Sequence, residues 1–200
     1  MNILSVDFDI IMAPDLPLYN NLIRVGECPL KIVQERFPIL QYVKADLGIY
    51  QTLVPRILQI TKDLKPQDIR VSFSHEDIKY MLEDLKDVTV YNIDHHHDLG
   101  YGPDCEECTC ANWGDYFIKK GIIKNMIWIN NENSDLNHKY KDSDQVGFLH
   151  LKDFSFNNLP HIDKVFICLS GEWVSEMYHP LFFTLIDLIN QQKNCHLEIH

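Results

Sequence analysis

Residues 88–98 read VTVYNIDHHHD, six residues rich in β-branched and aromatic side chains running directly into five ionisable ones. The first six have the composition of a buried strand, and the abrupt change to charge marks where that strand leaves its sheet. Four further runs carry the same signature, at 2–6 (NILSV), 69–73 (IRVSF), 126–130 (MIWIN) and 164–169 (KVFICL), with a weaker sixth near 147–151. Each is followed by a long connection, as parallel pairing requires. The connections carry helical spacing. Residues 49–63 place Leu53, Ile57 and Ile60 on one stripe with Pro55 in the first turns, and 75–86 do the same with Ile78, Met81, Leu82 and Leu85. Further helices are predicted over 111–121, closing at Gly121, over 178–191 and within 31–45. This alternation predicts a three-layer α/β/α fold with a mainly parallel sheet. No repeat, Gly/Ser linker or composition shift divides residues 1–200, so a single domain is expected.

The chain has 200 residues, with 18 Lys+Arg against 29 Asp+Glu and a net charge of −11 with histidines neutral. A surplus of that sign raises the cost of holding a polyanion, so neither nucleic acid nor an anionic membrane is an expected partner, and cations are favoured. The N-terminal MNILSVDFDIIMAP has no basic segment, and acids break its apolar run, so a cytoplasmic location with reduced thiols is expected.

The chemistry gathers where the strands end. In Asp94-His95-His96-His97-Asp98, alternation at period two sends Asp94, His96 and Asp98 one way and His95 and His97 the other. Two carboxylates and an imidazole converging from five residues make a metal half-site, and the oxygen-rich donors suit Mn²⁺, Mg²⁺ or Fe²⁺ better than a sulfur-loving ion, with Zn²⁺ an open alternative. Asp7-Phe8-Asp9 ends the first strand with two acids on one face under the same rule. His75 follows the strand at 69–73, where Ser74 and Asp77 stand at capping-box spacing that explains them but not the histidine. Glu172, after the strand at 164–169, adds a carboxylate at the mouth. Asp7, Asp9, His75, Asp94, His96 and Asp98 are together enough for two divalent ions, and such a pair lowers the pKa of a water held between them. Hydrolysis is the implied reaction class.

Cys105, Cys108 and Cys110 lie within six residues of one another and suggest a Zn²⁺ site, although no fourth ligand stands nearby; free or redox-active thiols are the alternative. Trp113, Tyr116 and Phe117 read as helix core.

With these residues in hand, the chain resembles the arginase-like (ureohydrolase) superfamily, particularly its small peptide-arginase-like branch. Asp94-x-His96-x-Asp98 is similar to that superfamily's Asp-x-His-x-Asp strand end, Asp7-x-Asp9 to its Asp-x-Asp pair, and His75 to its separate upstream histidine. The stretch from Asn112-Trp113 through Ile127-Trp128-Ile129 is similar to the branch's "NW … viW" region. The resemblance implies an arginase-like fold and two Mn²⁺ ions. Asp94 and Asp7 would bridge them, His75 and Asp98 would complete one and His96 and Asp9 the other. It further implies that Glu172 grips a guanidinium and that arginine is converted to ornithine and urea, in a peptide, a protein or a small guanidino compound. His95 or His97 would carry a proton to the leaving amine, with helix packing or support of the ligands as the alternative role for them. One departure stands out: in arginases the Asp-x-Asp strand follows the Asp-x-His-x-Asp strand, and here it precedes it. Strands permuted around a sheet can keep their places in space.

Two other readings compete. Ile93-Asp94-His95-His96 is similar to the "IDHH" of DHH-type phosphoesterases, which also use manganese. Against that, no histidine stands four residues before Asp7, and the second domain with its glycine-rich histidine motif is missing. A non-enzymatic reading keeps the metal and uses the three-cysteine loop to hold a partner.

Overall fold

A computed structural model describes residues 1–13, 44–100, 107–132, 134, 144–171 and 173–200. Six strands form one all-parallel sheet: β1 (Asn2–Asp7), β4 (Ile69–Ser72), β5 (Val88–Ile93), β6 (Ile123–Asn130), β7 (Val146–His150) and β8 (Lys164–Cys168). A separate antiparallel pair joins β2 (Met12–Ala13) to β3 (Lys44–Ala45). The order across the main sheet is β4-β8-β1-β5-β6-β7. β1 is therefore interior, paired in register with β8 on one side and β5 on the other. The chain leaves β1 for one edge, crosses back to β5, and returns last to fill the gap beside β1. Such a reversal opens a crevice at the carboxyl ends of the strands, where ligands bind in open parallel sheets.

Helices α1 (Leu47–Thr61), α2 (Lys79–Leu82), α3 (Trp113–Lys119) and α4 (His179–Lys193) cover both faces. On one face Leu4, Val6, Val165 and Ile167 pack with Leu53 and Ile57 of α1 and Phe182, Leu185 and Ile189 of α4. On the other, Ile3, Val88, Val90 and Phe166 pack with Ile78, Leu82, Trp113 and Phe117. Strand alternation puts Ser5 and Asp7 on this second face with Ile3, and Asn92 there with Val88 and Val90. The α/β class expected from the alternating pattern is the observed one.

Several boundaries differ. The segment expected as one helix over 75–86 is a 3₁₀ turn (His75–Ile78) running into the single turn of α2. β6 begins three residues before the predicted 126–130. α1 begins at Leu47, so Pro55 falls inside the helix rather than in its first turns, on an exposed face where water can serve the carbonyl left without a donor. Gly121 closes the α3 segment at φ 70°, a left-handed conformation suited to glycine. Of the helix expected within 31–45, residues 31–43 lie outside the described residues, and Lys44–Ala45 is extended. Among the described residues, no helix is long and apolar enough to cross a membrane.

Candidate metal centre

Asp7, Asp9, His75, Asp94, His96 and Asp98 meet, buried, at the carboxyl edge of β1, β4 and β5. The backbone reaches this arrangement differently from simple strand alternation. Asp7 ends β1 and caps the 3₁₀ turn Phe8–Ile11, its Oδ1 accepting from the Asp9 N–H at 3.2 Å. That turn separates the two acids, so Asp7 faces His75 and Asp9 faces His96, correcting the expectation of a shared face. Beyond β5 the chain also stops being extended. The His96 N–H donates to Asp94 Oδ1 at 2.8 Å, and Asp98 adopts φ 54°. His96 and Asp98 consequently reach out to different partners rather than lying on one side.

His75 is the centre of the first group. Its Nδ1 lies 3.0 Å from Asp7 Oδ2, 3.3 Å from Asp94 Oδ2 and 3.0 Å from Asp98 Oδ2. One ring N–H cannot serve three acceptors, and Nδ1, although buried, makes no hydrogen bond of acceptable geometry with any of them. Ligand atoms at right angles around an ion with bonds of about 2.1 Å stand about 3.0 Å apart, so the separations from Nδ1 suit a divalent cation, for which Asp7, His75 and Asp94 form one compact group with Asp98 beside His75. The second group is Asp9, Asp94 and His96, with His96 Nδ1 2.8 Å from Asp9 Oδ2. Asp94 belongs to both. It is held from every side: its N–H donates to the Ile129 carbonyl, its own carbonyl accepts from Trp128 Nε1, and its Oδ2 accepts from Asn92 Nδ2 at 3.0 Å.

Electrostatics point the same way. Burial, with the charge of Asp9, raises the Asp7 carboxyl above its ordinary value. Burial and the neighbouring Asp94 push Asp9 to about 8. Burial and the charges of Asp98 and Asp7 push Asp94 to about 7, and burial also raises Asp98. Burial opposes a charge on His75, but Asp7, Asp94 and Asp98 outweigh it and hold its pKa well above the usual histidine range. Without a cation this cluster therefore retains protons near neutrality, and a bound metal would displace them.

Side chains that the sequence reading did not single out as part of the site support it. Ser5 Oγ is 2.8 Å from His75 Nε2, Ser170 Oγ donates to Asp7 Oδ2 at 2.5 Å, and Trp113 Nε1 donates to Asp98 Oδ2 at 2.7 Å. His75 itself stacks on Phe166 at 5.6 Å and tilts against Trp113 at 5.0 Å. Trp113 is core, as expected, and also a donor to the site. Trp173, half-buried, packs on the His96 ring at 4.5 Å. The capping expectation at Ser74 is corrected: its side chain makes no cap, and Ser72 Oγ instead donates to Asp77 Oδ2 at 2.5 Å.

His95 and His97 are buried beside the cluster. The His95 N–H donates to Asp9 Oδ1, and His97 Nδ1 accepts from the Leu99 N–H at 3.0 Å while its ring packs edge-on to Trp128. Glu172 and Cys105 lie outside the described residues. Cys108 and Cys110 are half-buried and belong to neither ligand group, and burial with the nearby Glu76 pushes Cys108 up to about 11. No family model matches the sequence, and no curated protein or solved structure matches it significantly.

Proposed function

We propose that the chain is a metal-dependent hydrolase of the ureohydrolase type, holding two divalent ions, with Mn²⁺ the preferred metal. The observation that carries the reading is His75 Nδ1 ringed by three carboxylate oxygens at 3.0–3.3 Å, with one of those carboxylates, Asp94, shared with the Asp9–His96 pair. Asp7, Asp98 and His75 would hold one ion, Asp9 and His96 the other, and Asp94 would join them. Four carboxylates balance the charge of two divalent cations, and a donor set of four carboxylates with two imidazoles favours Mn²⁺ or Fe²⁺ over thiophilic metals. When bound, the ions supply Lewis acidity and an activated water at neutral pH.

The substrate in this proposal is an arginine side chain, free or within a peptide or protein, or another guanidino compound. Water adds to the guanidinium carbon, the bond from that carbon to the arginine nitrogen breaks, and the nitrogen leaves as the protonated amine of ornithine while urea is released. The acidic character of the chain favours such a cation. Glu172 is the proposed carboxylate for the guanidinium, and His95 or His97 the proposed proton carrier to the amine. In neutral His97 the proton sits on Nε2, because Nδ1 accepts from Leu99.

Incubating Mn²⁺-loaded protein with arginine-containing peptides should release urea and leave ornithine, and Asp94→Asn should abolish both. Cleavage of short oligonucleotides without urea would replace this reading with the phosphoesterase one. Metal binding without turnover on either substrate would leave the non-enzymatic module.

A further inference from the structure

The side chains around the His75 position share one property: each candidate ligand there contacts a neutral hydrogen-bonding group. Asn92 serves Asp94, Ser170 serves Asp7, Trp113 serves Asp98 and Ser5 meets His75, at 2.5–3.0 Å. Ser5, Asn92, Trp113 and Ser170 are all buried. Ser5 is the most telling of them. It stands two residues before Asp7 on the same face of β1, so the imidazole lies along the strand, with Nε2 at Ser5 and Nδ1 at Asp7. Histidines that bind metals usually give their second N–H to a carboxylate, a backbone carbonyl or water. A carboxylate at position 5 would put a fifth negative charge into a buried cluster whose four carboxylates already match two divalent cations. A hydroxyl accepts the proton and adds no charge.

We infer that Ser5 is the positioning residue for His75: its hydroxyl accepts the Nε2–H, fixes the tautomer that turns the Nδ1 lone pair toward Asp7, Asp94 and Asp98, and makes this the tighter of two metal positions. The inference rests on the two-ion reading above and goes beyond it by ordering the positions. The His75 position fills first. The Asp9–His96 position, beside the half-buried Trp173, fills second and exchanges more readily.

Mn²⁺ titration of the full chain, followed by calorimetry and by metal retained after gel filtration, tests this without reference to turnover. Wild-type protein should bind in two phases. Ser5→Ala should weaken the tight phase about 10- to 100-fold, leave the weak phase in place, and be rescued by Ser5→Thr. With Zn²⁺ as a diamagnetic stand-in, long-range proton–nitrogen NMR should show His75 ligated through Nδ1 and protonated at Nε2 in wild type and Ser5→Thr, and a smaller fraction of His75 ligated in this way at the same Zn²⁺ concentration in Ser5→Ala. If Ser5→Ala does not fold, Trp113→Phe, which removes the donor to Asp98 but keeps a ring against His75, should weaken the same tight phase. Two-phase binding in wild type with Ser5→Ala unchanged, or with both phases weakened equally, overturns the Ser5 role and leaves the two-ion reading intact. No binding by wild type overturns both.

Discussion

The two sides of Asp94 make an instructive contrast. On the His75 side the candidate ligands come from three different strand ends, and the imidazole, 1% exposed, is enclosed by Phe166 and Trp113. On the His96 side there are fewer carboxylates, the histidine is 7% exposed, and its ring packs between the buried His95 and the half-buried Trp173. The same residue types thus form one fully enclosed position and one that lies slightly nearer the surface. In a centre of two ions, the first suits a resident cation that organises the fold locally, and the second suits an ion that exchanges and meets substrate.

The largest effect should come from removing what the two sides share. Asp94→Asn should reduce bound Mn²⁺ from about two ions per chain to near none, whereas His96→Ala should retain about one, both read by elemental analysis after gel filtration; these are the stoichiometries of the proposed centre. Equal loss in the two variants would erase the contrast. A smaller effect is expected from Gly114→Ala. A Cβ there would meet Met126 Sδ at 2.9 Å and the Asp98 carbonyl and Leu99 Cδ2 at 3.0 Å, where Gly114 donates its N–H to Asp98. Overpacking of this kind costs about 1–3 kcal/mol, measurable by urea unfolding, and it should loosen the His75 position specifically because Asp98 belongs to it.

The gentlest probe is pH. Asp7, Asp9, Asp94, Asp98 and His75 all bind their protons more tightly folded than unfolded, with Asp94 at about 7 and Asp9 at about 8 against 3.8. The folded chain therefore holds more protons than the unfolded one across that window, and metal-free protein should lose stability as pH rises from about 4 to about 8. Thermal unfolding of chelator-treated protein should show Tm falling by several degrees over this range. Added Mn²⁺ should flatten the dependence, with its greatest stabilisation at the alkaline end.

Much of this was legible in the chain. Apolar runs bounded by charge located the strands, and parallel pairing then required Asp7, His75 and Asp94 to share an edge. The path of the backbone beyond each strand was not legible, because period-two alternation ends with the ladder. The 3₁₀ turn after Asp7 and the left-handed Asp98 are set by local hydrogen bonds and by the close approach of Gly114, and neither has a periodic signature. Ser5 and Asn92 carried a usable signal: each is a polar residue on the inward face of a strand, two positions before a candidate ligand. Ser170 and Trp113 carried none, since their contacts with Asp7 and Asp98 depend on tertiary packing.

The central claim is that Asp94 joins two divalent ions in one buried cluster. Electron paramagnetic resonance of protein loaded stepwise with Mn²⁺ tests it most directly. The account predicts an isolated-ion spectrum at one equivalent and an exchange-coupled spectrum at two, with the coupling lost in Asp94→Asn. Uncoupled ions at two equivalents, or no bound Mn²⁺ at any ratio, would contradict it.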